Sequence, residues 1–123
     1  MVKHGFTLIE LLVVLAIVAT LLTLTMPRYF QTIDTAKTTI LTDNLRTTRD
    51  AIDKFYADSG HYPDSLDELV DKKYLRALPY DPVLDSDQKW LLLAPDDDSK
   101  GKVHDLRSAA PGHTRGGKAY AEL

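Results

Sequence analysis

The chain has no cysteine. Disulfides, zinc–thiolate centres, iron–sulfur clusters and thiol catalysis are therefore excluded together, and an exported domain of this chain must hold its shape by other means. It also lacks an excess of positive charge: 15 Lys and Arg face 18 Asp and Glu, a formal charge of −3. That is not the balance of a nucleic-acid-binding protein, and no nucleic acid is expected among its partners. His4, His61, His104 and His113 keep no His-x-x-x-His or His-Glu-x-x-His spacing, so the pattern gives no zinc site. Ser59, Ser65 and Ser108 lie outside any Gly-x-Ser-x-Gly context, and no glycine-rich phosphate loop occurs. With no catalytic constellation, the chain does not read as an enzyme.

Charge is scarcest at one end. In residues 6–26 the one charged side chain is Glu10. A bilayer core of about 30 Å needs about 20 helical residues, which this run supplies. It exceeds a signal-peptide core of about 7–15 residues and has no Ala-x-Ala-like site before Pro27. Lys3, ahead of the run, favours a cytoplasmic N-terminal end, with the remainder on the other side of the membrane. A carboxylate within an apolar helix costs about 2.5–3.5 kcal/mol and calls for a partner. Lys3 and His4 lie beyond Gly5; a cut after Gly5 would instead place a new amine on Phe6, within reach of Glu10 in its own or a neighbouring helix.

Composition turns polar after Pro27. Residues 28–57 hold neither Gly nor Pro, and Ile33, Ile40, Leu41, Leu45, Ile52, Phe55 and Tyr56 recur at helical spacing. The spacing predicts one long helix from the apolar run through 27–59, roughly 75–80 Å at 1.5 Å per residue, bent or locally opened at Pro27. Arg46/Asp50, Arg49/Asp53 and Asp50/Lys54 are spaced as surface pairs, and Gly60 suits a left-handed cap. Tyr29 and Phe30 suit a membrane boundary.

Ser65-Leu66-Asp67-Glu68 is a capping box, with Ser65 as cap and Glu68 reaching back, and opens a second helix within 60–78. Trp90–Leu93 with Ala94 reads as a strand, residues 95–101 as an acidic turn, and residues 102–106 as its partner strand, with a last short strand around Ala119 and Tyr120. Trp90, Leu91, Leu92 and Leu93 are assigned to the core, sealed by Tyr56, Tyr62 and Tyr74, and Leu106 and Tyr120 are expected to hold the tail. The expected fold is α+β: a long N-terminal helix, membrane-spanning in its first half, packed by its second half on a small antiparallel sheet with a short second helix.

Lys3-His4-Gly5-Phe6-Thr7-Leu8-Ile9-Glu10, a short basic leader running into an apolar stretch, resembles the processing signature of type IV prepilins and type II secretion pseudopilins. The resemblance implies cleavage after Gly5 by a prepilin peptidase, N-methylation of Phe6, subunit registry through Glu10, and a typical proline at Pro27. Further along, Gly60-His61-Tyr62-Pro63, Ser65–Leu69 and Leu78-Pro79-Tyr80-Asp81-Pro82 are similar to major G-type pseudopilins, as is Val103–Ser108. The likeness is strongest over 1–82 and weak after 108. It implies a pilin-like fold divided into leader 1–5, transmembrane helix 6–26 and periplasmic domain 27–123, with small sheet and tail in 79–123. It also implies a structural subunit in the bacterial inner membrane that polymerises into a helical filament driving export. Partners would be further copies of the chain, minor pseudopilins, the peptidase, the inner-membrane assembly platform and the lipid bilayer. The alternatives are a type IV pilin or minor pilin for adhesion, motility or DNA uptake, and, from another class, an uncleaved membrane-anchored domain binding a ligand or metal.

One departure concerns calcium, which commonly fixes the C-terminal loop of G-type pseudopilins. Residues 109–118 here contain no carboxylate, and the next is Glu122, whereas calcium takes six to eight oxygens. No cofactor is therefore expected, with calcium kept as an open alternative. Asp85 and Asp87, two residues apart, are the substitute candidates for a metal.

Overall fold

With neither proline nor glycine over 28–59, nothing in the chain interrupts the helical hydrogen-bond ladder before Gly60. In the computed structural model, which describes residues 5–123, helix α1 runs Leu8–Ser59 with Pro27 inside it. Gly60 ends it at φ +80°, its N–H donating to the Tyr56 carbonyl at 2.8 Å, as expected of a left-handed cap. The chain divides into two compact units, Met1–Ile33 and Asp34–Leu123.

In the first unit the apolar side chains of α1 stand outward: Leu8, Leu12, Leu15, Leu21 and Leu24 are all more than half exposed. Three of its threonine hydroxyls are satisfied within the helix. Thr20, Thr23 and Thr25 each donate to the carbonyl four residues back, all at 2.8 Å, so none presents a free donor to an apolar surrounding. Pro27 has no N–H to offer the Thr23 carbonyl.

The second unit holds the core. Leu41, Leu45, Thr48, Ala51, Ile52 and Phe55 form the buried face of α1, and Leu66, Leu69, Trp90, Val103 and Leu106 close over it. Tyr62, Tyr74 and Tyr120 pack on its rim as expected. Ile40 does not belong to that face and is 46% exposed: a step back from Leu41 turns it about 100° away.

Helix α2 is short, Leu66–Asp71. Ser65 caps it, its hydroxyl accepting from the Glu68 N–H at 3.3 Å, but Glu68 reaches one residue beyond the predicted partner and accepts from the Asp64 N–H at 2.8 Å. That bond holds the Glu68 carboxyl below its ordinary range. Lys73 turns the chain out at φ +66°, and the Tyr74 N–H returns to the Leu69 carbonyl, so Tyr74 and Leu75 reach the core from a loop.

Strands β1 (Trp90–Leu93) and β2 (Asp105–Ser108) form a two-stranded antiparallel sheet, with Trp90 opposite Ser108 and Leu92 opposite Leu106. The partner strand thus lies later than residues 102–106. A short 3-10 helix at Asp98–Lys100 and the approach of Gly101 to Tyr62 consume the earlier residues. Gly101 has φ +111°, and a Cβ there would lie 2.2 Å from the Tyr62 carbonyl oxygen. Leu91 and Leu92 are about half exposed and contribute little to the core assigned to them; Leu91 points away from the face of Trp90, to a side that a two-stranded sheet has no second layer to cover. In place of a last strand, Ala119 makes one bridge to His113 and Tyr120–Glu122 is a 3-10 helix.

Asp81 is fully buried. Its carboxylate accepts from the Val83 and Leu84 N–H groups at 2.9 and 3.2 Å and from the Ser108 hydroxyl at 2.5 Å. Beside it the Trp90 indole N–H donates to the Pro79 carbonyl at 2.9 Å. These bonds tie the 79–86 loop to the sheet. Asp81→Ala strands three donors and is expected to lower stability by about 2–4 kcal/mol. The shift in urea midpoint, followed by the emission of the single Trp90 in detergent micelles, measures it.

Candidate functional site

Gly5 and Phe6 precede the first helical turn, both exposed and outside regular structure. A Cβ built on Gly5 would meet no atom within 4 Å, so the described fold does not itself require glycine there. Phe6 is 87% exposed. The leader assigned to residues 1–5 falls, for Met1–His4 including Lys3, outside the described residues.

Thr7 and Glu10 form a reciprocal pair. The Glu10 carboxylate accepts from the Thr7 N–H at 2.9 Å, and the Thr7 hydroxyl accepts from the Glu10 N–H at 3.2 Å. The Thr7 carbonyl accepts the first helical bond, from the Leu11 N–H at 3.3 Å. This is a capping box, with a negative charge in the first turn where the helix dipole favours it. The signal is present in the sequence, because Thr7-x-x-Glu10 has the spacing of Ser65-x-x-Glu68; it is obscured there by the same residues' role in the processing signature. In this chain alone, then, Glu10 is held by its own helix end. Its hydrogen bonding is met locally, and among the described residues no cation pairs with its charge.

Pro27, the other residue assigned to assembly, lies within α1 among exposed neighbours, with Tyr29 and Phe30 exposed just beyond it. α1 is long and apolar enough near its start to cross a membrane.

The metal candidates take other partners. Asp85 accepts the Tyr80 hydroxyl, which pushes the Tyr80 phenol above its ordinary value, and Asp87 accepts from the Gln88 side-chain amide at 3.1 Å. Among the described residues no three His, Asp or Glu side chains converge where a cation could be held.

Arg49 is paired across the fold rather than along α1. Instead of meeting Asp53, its Nε donates to Asp105 at 2.8 Å and its Nη2 to the Leu106 and Leu123 main-chain oxygens at 3.0 and 2.8 Å. Helical spacing offers Asp53 as an equal candidate and cannot reveal a partner 56 residues away.

Residues 1–26 match the prokaryotic N-terminal methylation motif. The chain is 33% identical over 96 residues to the type II secretion system core protein G of Pseudomonas aeruginosa, a match spanning 65% of this chain and 68% of that protein. No solved structure matches.

The capping box has a measurable signature in micelles. Glu10→Gln is expected to keep the Thr7 amide-exchange rate within about threefold of wild type, because Gln serves the box as Glu does. Glu10→Leu is expected to raise it by roughly tenfold, in line with a cap of about 0.5–2 kcal/mol. Equal NMR exchange rates in wild type and Glu10→Leu would show that the carboxylate does not hold that amide.

Proposed function

Because the chain belongs to the type IV pilin-like family, on the G-type pseudopilin branch of type II secretion, we propose that it is a structural subunit of a pseudopilus that polymerises into a helical filament driving protein export. In this reading residues 1–5 are a leader, 6–26 span the inner membrane, and 27–123 are a periplasmic domain. A prepilin peptidase hydrolyses the Gly5–Phe6 bond, leaving a carboxylate on Gly5 and an amine on Phe6 that is then methylated. The exposed, unstructured setting of Gly5 and Phe6 supports this, as does a glycine that the fold does not demand: its selection then lies with a partner that reads it.

The observation that carries the reading is the outward apolar surface of the first unit combined with a carboxylate at its start that pairs with no cation among the described residues. Contiguous exposed apolar surface needs lipid or protein against it. In the bilayer the subunit waits with the Thr20, Thr23 and Thr25 hydroxyls and the Thr7 N–H satisfied. On leaving, the same surface packs against copies of itself. The Glu10 carboxylate meets a neighbour's Phe6 amine in low dielectric, where a misplaced charge is costly, and that sets the register. Head-to-tail contacts that do not close produce a filament. Minor pseudopilins and an inner-membrane assembly platform are the further partners.

Two measurements test this. Intact mass of protein extracted from cells with an active prepilin peptidase is expected to lack Met1–Gly5 and carry one added methyl. A retained leader would favour the anchored binding domain instead. Glu10→Gln separates charge from cap: it is expected to insert and be processed normally, yet to lower the yield of sheared filaments as severely as Glu10→Leu. Filaments at wild-type yield from Glu10→Gln would refute registry through charge.

A further inference from the structure

The last residues of the chain must be held against the rest of the second unit, and calcium is the means that the family resemblance implies. The residues do not fit it. Residues 109–118 bring Arg115 and Lys118 and no carboxylate, and the loop folds on its own N–H groups. The Thr114 N–H donates to the Lys118 carbonyl at 2.7 Å, the Gly117 N–H to the Thr114 carbonyl at 2.9 Å, and the Tyr120 N–H to the Gly112 carbonyl at 3.3 Å. Such a site offers a divalent cation repulsion and too few oxygens.

We propose that the Arg49 guanidinium is the cation that holds residues 105–123 in place, and that this holding requires no metal ion. Arg49 sits on α1 one residue after the buried Thr48. From there one rigid planar group reaches three acceptors: the Asp105 carboxylate and the main-chain oxygens of Leu106 and Leu123. Asp105 neutralises it, and both side chains are only about one-third exposed, at 33% and 29%. Charge-assisted bonds of this kind are roughly twice as strong as neutral ones. A lysine, with a single point of charge, cannot reproduce the fork. Arg107 adds a fourth tie, its Nη1 donating to the Ala121 carbonyl at 3.2 Å. Every group in the clamp belongs to the chain itself, so the tail is independent of the surrounding calcium concentration. The inference concerns the single subunit and does not rest on polymerisation.

Hydrogen–deuterium exchange of the full chain in detergent micelles tests it, first in EGTA and then in millimolar calcium chloride. Wild-type peptides covering 105–123 are expected to exchange at equal rates in the two solutions. Arg49→Met and Arg49→Lys are expected to accelerate them by roughly ten- to a hundredfold in both, while peptides covering the buried face of α1 stay at wild-type rates. Protection of the wild-type tail that appears with calcium and disappears with EGTA would overturn the proposal. So would an Arg49→Met tail exchanging at the wild-type rate. If Arg49→Met also loses protection in α1, Asp105→Asn supplies the answer: accelerated exchange confined to 105–123 supports the clamp, and an unchanged rate overturns it.

Discussion

A polar group within an apolar helix has to find its partner on that helix. Much of the first unit follows from this constraint. Thr20, Thr23 and Thr25 turn their hydroxyls back on the preceding turn. Thr7 and Glu10 satisfy each other across the opening turn, where the backbone N–H groups would otherwise lack acceptors. What hydrogen bonding leaves over within residues 6–26 is one charge. A segment whose threonine hydroxyls are met at home is compatible with lipid, and a carboxylate with no cation among the described residues has a reason to prefer a neighbour. In the proposed function, storage in a membrane and assembly out of it draw on the same few residues.

The second unit solves a different problem. A two-stranded sheet cannot bury much by itself, and here the sheet contributes mainly Trp90, Leu106 and Ser108 to a core dominated by one face of α1. Two polar anchors compensate from opposite ends. Asp81 reaches inward to Ser108 and fixes the loop before β1, and Arg49 reaches outward from α1 and fixes the segment after β2. Both act across long stretches of sequence, as cross-links would in a chain that had cysteine.

The features legible in the sequence are those set by local chemistry. The long helix, its stop at Gly60, the Ser65 cap and the Trp90 strand follow from periodicity and turn residues, and the processing signature is contiguous in the chain. Residue partners decided by tertiary geometry were not legible. Arg49 has an acid four residues on in Asp53 and takes Asp105 instead. Leu91 looks like core by composition, and the thinness of the sheet leaves it half exposed. Asp81 is one acid among several until burial singles it out. The displacement of β2 depended on the 3-10 turn at Asp98–Lys100 and the backbone contact at Gly101, neither of which has a periodic signature.

That contact also bears on how the chain can vary. Codons for glycine lie one base from those for alanine, valine, serine, arginine, aspartate and glutamate, and every one of these carries a Cβ. At Gly60 such a substituent meets open space and faces only an unfavourable backbone angle, whereas at Gly101 it collides with main chain as well. The two glycines would therefore separate in a mutational survey, Gly60 admitting some drift and Gly101 purging nearly every missense change that reaches it.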